Sequence, residues 1–107
     1  MGFGYEKAEL LTALADDHKS VILSINRDAT GRNIGNAISS FQEAAAIAKH
    51  IVINFTDTHL IDARFLGLLL MLSKHLKGQD LPLTFTGVSP RIARIFWLNG
   101  FEFLLHS

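Results

Sequence analysis

With 107 residues, 49% of them apolar and 19% charged, the chain has enough apolar material for one core burying roughly two thirds of its unfolded surface, and too little length for a second domain. Ten basic residues balance ten acidic ones, so no net field draws in nucleic acid, and the absence of cysteine excludes disulfides, thiolate catalysis and cysteine-ligated zinc. The longest apolar window, residues 66–72, falls far short of the ~20 residues a spanning helix needs, so direct membrane insertion is not expected.

Residues 5–17 are rich in Ala, Leu, Glu and Lys and favour helix by propensity. Val21-Ile22-Leu23-Ser24-Ile25 is β-branched and bounded by polar residues, which predicts a strand. A turn over 28–32 then leads to Asn33, a helix-capping residue type. From 33 to 49, Ile34, Ala37, Ile38, Phe41, Ala45 and either Ile47 or Ala48 recur at three-to-four spacing, the pattern of an amphipathic helix with Asn36, Ser40 and Glu43 on its polar side. The mostly apolar run Ile51-Val52-Ile53-Asn54-Phe55 predicts a central strand covered on both faces, ended by Thr56-Asp57-Thr58.

Asp62 is placed to cap a second helix that runs to Lys77, because its carboxylate can accept the free N–H groups of the first turn. A strand over 83–86 starts beside Pro82, which favours an edge position. Ser89 followed by Pro90 is a specific helix start, and Asn99-Gly100 is the matching stop. Strands alternating with helices predict one α/β domain over 1–107.

From residue 51 onward, the order of strand, Leu60-Ile61-Asp62 turn, apolar helix, strand and Val88-Ser89-Pro90 closely resembles the STAS domain, the sulfate-transporter and anti-sigma-factor-antagonist family. The resemblance covers about 20–105 and implies an α/β sandwich in which a small mixed sheet packs against about four helices. It implies a strand hairpin at the N-terminus, where propensity favours helix, so the fold of 1–18 stays open. Regulatory members read Asp-Ser-Ser-Gly-Leu-Gly where this chain has Asp62-Ala63-Arg64-Phe65-Leu66-Gly67. The serine that a partner kinase phosphorylates is thus Ala63, and Arg64 places a permanent cation beside it. A second family landmark, an acidic kinase contact, corresponds to Thr30, whereas Asn33 matches a residue common in the family.

Leu66, Leu69, Leu70 and Ser73 match family positions facing the sheet. That leaves Phe65, Leu68, Met71 and Leu72 elsewhere on a short helix, more apolar side chains than one-sided burial explains. Two readings follow: either Phe65, Leu68 and Leu72 form an exposed docking stripe, or the N-terminal segment covers them. The docking reading makes Thr58, His59, Asp62, Ala63, Arg64, Phe65, Leu68, Met71 and Leu72 the partner-binding set.

The five histidines show no metal-ligand spacing, and no Gly-rich phosphate loop is present, so neither metal nor cofactor is expected. His59 between Asp57 and Asp62 is the one grouping that resembles an acid/base site; strand-end and helix-cap roles account for both aspartates, and an enzyme is not expected. The opening residues lack the basic-then-apolar order of a secretory signal, which predicts a cytoplasmic location, and the resemblance implies a non-catalytic interaction module. Residues 61–70 further resemble the variant in STAS domains appended to bacterial surface-polysaccharide glycosyltransferases. Such a transferase, an anti-sigma kinase, a transporter subunit and a second copy of the chain are the candidate partners. An antagonist role would need Thr56, Thr58 or Ser89 to take the phosphate.

Overall fold

The computed structural model of the chain describes residues 9–14, 19–29 and 34–106. In chain order these form β1 (Glu9–Leu14), β2 (Ser20–Ala29), α1 (Ile34–Ile47), β3 (His50–Asn54), β4 (Thr58–Ile61), α2 (Ala63–Gly78), β5 (Leu83–Thr86), α3 (Pro90–Leu98) and a terminal 3-10 helix, Glu102–His106. The described residues hold three α-helices, not about four, because the last turn is too short and too tightly wound to be α-helical.

The sheet is mixed. β1 runs antiparallel to β2, β2 and β3 are parallel, and β3 and β5 are parallel, giving the order β1-β2-β3-β5. β1 takes the hairpin arrangement implied by the resemblance, in place of the helix that propensity favours. Its pairing from Glu9↔Asn26 to Leu14↔Val21 ties it to β2 along its whole length, whereas a short helix without a packing partner is marginal in water. β5 occupies the far edge, in keeping with Pro82 at its start.

β2 is twice the length of β3 and changes neighbour along its course. Ser20 to Ser24 pair with β3, and Arg27 to Ala29 pair in parallel with β4, with a register shift between Arg27 and Asp28. The turn between β3 and β4 closes with Thr58 N–H donating to the Phe55 carbonyl at 3.0 Å. Thr58 therefore begins a strand where the sequence reading had an end.

Val21, Leu23, Ile25, Ile51, Ile53 and Phe55 point into one core shared with Ala37, Phe41, Ala44, Leu66, Leu69, Ile92 and Phe96 of the three helices. The alternate residues of β3, His50, Val52 and Asn54, are half-buried, so the strand is covered on one face, not two. Its apolar appearance comes from Val52 on the open face. There, His50 ties neighbouring strands together: Nε2 lies 2.7 Å from Thr84 Oγ1 and Nδ1 lies 3.4 Å from Ser20 Oγ. Under the helices, Phe55, Phe85 and Phe96 form a three-ring cluster, with Phe55 stacked on Phe85 at 5.7 Å and Phe96 edge-on to both.

Candidate functional site

The residues singled out in the sequence fall on β4, the Asp62 turn and α2. Asp62 caps α2 as expected, its side chain accepting the Phe65 N–H at 2.9 Å, and Ser89 caps α3 in the same way through Ile92 N–H at 3.1 Å. β4 and β5, which lead into α2 and α3, run parallel to the strands they pair with. Both helix N-termini consequently emerge at the same end of the sheet.

The helix faces differ from the expected ones. Phe65 is 1% exposed and Leu72 is 7% exposed, so Phe65, Leu68 and Leu72 do not make an exposed stripe. α2 buries Phe65, Leu66, Leu69, Leu72 and Leu76, an arc of about 120°, because it leans on α1 as well as on the sheet. Phe65 meets Phe41 of α1 edge-on at 6.5 Å, so α1 provides the cover assigned in sequence to the N-terminal segment. Leu68 is half-buried at the border of this arc, and the outward arc carries Ala63, Arg64, Met71, Lys74 and His75.

Of the other expected partner-binding residues, Thr58 is buried, with its hydroxyl donating to the Ile25 carbonyl at 2.5 Å across the β2–β4 pair. It cannot meet a partner without opening that pair. His59 is exposed on β4, as is its neighbour Leu60, which the sequence reading passed over. Thr30 and Asn33 lie outside the described residues. Among the described residues no group of three His, Asp or Glu side chains is close enough to hold a metal ion, and no helix is long and apolar enough to cross a membrane.

Between α1 and α2 runs an open groove of about 460 Å³, floored by Phe41, Ala45 and Leu72 and walled by Ile38, Leu68 and Met71. At its far end His75 and Gln79 face each other at 3.3 Å. Met71, 69% exposed, forms one rim, and the less exposed Ile38 forms the other. The α1 half of this groove was missed in the sequence because Ile38 fits the apolar repeat of the helix and so reads as core.

The family model described as "STAS domain" matches residues 10–106. Among solved structures, the unphosphorylated anti-sigma factor antagonist SpoIIAA superposes with a TM-score of 0.74 at 14% identity, over 88% of this chain and 83% of that one. A sulfate transporter family protein from Wolinella succinogenes gives 0.68 at 18% identity, covering 86% of this chain and 80% of the other. An antisigma-factor antagonist STAS domain from Rhodobacter sphaeroides gives 0.60 at 16%, over 78% and 94%. At such identities these likenesses are of fold. No curated protein matches the chain in sequence.

Proposed function

The chain belongs to the STAS domain family, and from that premise we propose that it is a non-catalytic interaction module that docks a partner protein through the outward face of α2 and the groove α2 forms with α1. The observation carrying this reading is the apolar rim of that groove: Met71, 69% exposed, and Ile38, 38% exposed, flank a floor of Phe41, Ala45 and Leu72. A partner helix laid between them would insert side chains at i, i+3 and i+7, the ordinary helix-in-groove mode. Ala63 and Arg64 extend the same outward face to the helix start, and Arg64 makes no ion pair among the described residues. Asp62 serves this surface by fixing the helix start, not by direct contact.

A serine switch at the head of α2 is not part of the reading, since residue 63 is alanine. The partner we assign is a surface-polysaccharide glycosyltransferase, on the strength of residues 61–70. The test is a pull-down from whole-cell extract, soluble and membrane fractions together, with the chain beside a Met71→Asp variant shown to melt at the same temperature. A transferase retained by the first and lost by the second is the expected result; identical captures would sink the proposal.

A second reading, an antagonist in a partner-switching pathway, is favoured by one observation. The Thr56 hydroxyl is exposed at the same end of the sheet, donating to Asn54 Oδ1 at 2.6 Å, and is open to a kinase in a way that buried Thr58 is not. A kinase assay in which phosphate appears on Thr56, and is lost in Thr56→Val, would replace the first reading with this one. Neither reading gives His59 a catalytic role, and unchanged partner function after Asp57→Asn and His59→Ala is expected from both.

A further inference from the structure

α3 buries Ile92 and Phe96, and the arc turned away from the core consists of Pro90, Arg91, Arg94, Trp97 and Leu98. Such an outward arc is ordinarily polar; here its C-terminal end carries Trp97 at 60% and Leu98 at 62% exposure. Past the Asn99-Gly100 turn, Phe103 is 56% exposed, with its ring 6.2 Å from that of Phe101. A Cβ placed on Gly100 would meet nothing within 4 Å, so the space beside this exposed turn is open. Arg94 and Arg91 are set back along the helix by about 4.5 Å and 9 Å from Trp97, at 1.5 Å rise per residue.

From residue 89 to 106 the one carboxylate is Glu102, and it lies 3.6 Å from His106 Nε2. Among the described residues Arg91 and Arg94 make no ion pair or hydrogen bond through their side chains. The patch is thus an exposed apolar end of α3 backed by two free cations.

We infer that this patch seats on an anionic lipid surface, with Trp97, Leu98 and Phe103 entering the headgroup layer and Arg91 and Arg94 pairing with lipid phosphates behind them. Interfacial binding of this kind needs a few aromatic and aliphatic side chains at headgroup depth and cations just above, which is the order found along α3. A second copy of the chain fits less well, since a two-fold contact through the same patch brings arginines against arginines. A protein partner fits less well too, since a stable protein interface needs some 20 residues a side on a matched surface, and three exposed apolar side chains offer far less. This contact lies on the surface of a membrane and involves no spanning segment.

Trp97 is the sole tryptophan, so its emission reports directly on the patch. The full chain is titrated with vesicles of phosphatidylcholine containing 30% phosphatidylglycerol, and with pure phosphatidylcholine. The expected result is a blue shift and co-sedimentation with the anionic vesicles, partitioning there about thirty-fold more strongly than to neutral ones at low salt, the effect of two arginines near a charged surface. Leu98→Asp/Phe103→Asp keeps the reporter and should abolish the shift; Arg91→Glu/Arg94→Glu should erase the preference for anionic lipid. Both variants alter exposed residues and are checked to melt as the parent does. No shift with either vesicle overturns the inference. So does equal partitioning to both, or a shift that appears only when the chain self-associates or meets a purified protein.

Discussion

Asp62 and Phe65 are joined by a hydrogen bond of 2.9 Å from the Phe65 N–H to Asp62 Oδ1, and Phe65 in turn packs edge-on against Phe41 of α1. One carboxylate therefore fixes the start of α2 and, through its first turn, the contact between two helices. Asp62→Ala removes the acceptor and should lower stability by about 1 kcal/mol. Asp62→Asn keeps an acceptor and loses only the charge at the positive helix end, so it should cost less, about 0.3–1 kcal/mol. Urea unfolding of the three proteins gives the order; equal stability of Asp62→Ala and the parent would show that the cap contributes nothing.

Gly87, between β5 and α3, has φ of +66°. A Cβ there would meet the Thr56 backbone nitrogen at 2.6 Å and Asn54 Oδ1 at 2.8 Å, in addition to the Thr56 side chain. Gly100 also has positive φ, +77°, but open space around it. Gly87→Ala should therefore cost about 2–5 kcal/mol, backbone strain plus steric clash, whereas Gly100→Ala should cost about 1–2 kcal/mol from strain alone. Thermal melts of the two variants separate the terms, and a similar loss in both would mean that the β3–β4 turn yields to accommodate the methyl.

Thr58 and Thr56 form a second informative pair. The Thr58 hydroxyl is buried and donates to the Ile25 carbonyl, while the Thr56 hydroxyl is exposed and bonded to Asn54. Thr58→Val keeps the shape and deletes the donor, and should destabilise by about 1–2 kcal/mol. Thr56→Val removes a hydrogen bond that water can replace and should stay within about 0.5 kcal/mol. Denaturant midpoints of the two variants check this, and a Thr56 cost as large as that of Thr58 would show the turn bond to be structurally required.

Much of the architecture is legible in the residues. The caps at Asp62 and Ser89, the stop at Asn99, and the strands at 21–25 and 83–86 all rest on local chemistry, which does not depend on what lies across the core. What local chemistry misses is set by tertiary neighbours. β1 forms because β2 offers it a ladder, against its own helix propensity, and β4 forms because the far end of β2 outruns β3. The faces of α2 were misjudged for the same reason. An apolar excess on a helix says that something covers it, and the sequence does not say that α1 is the cover. The groove was missed with it, since Ile38 reads as core when α1 is taken alone, although Met71 already stood in the docking set.

The division of α2 into a buried and an outward face leads to the most discriminating comparison. Phe65→Ala deletes a ring packed against Phe41 and should cost about 3–5 kcal/mol, a large fraction of what a domain of this size has to lose. Met71→Ala truncates a side chain already in solvent and should stay within about 0.5 kcal/mol of the parent. Had Phe65 belonged to an exposed stripe, Phe65→Ala would be as nearly silent as Met71→Ala, and the two variants would not separate. Urea unfolding of the two variants decides between these helix phases, and Phe65→Ala within 1 kcal/mol of the parent would place the ring in solvent. If the ranking is as expected, Met71 is the residue to alter in every binding experiment, because its loss leaves the fold intact and removes a wall of the groove.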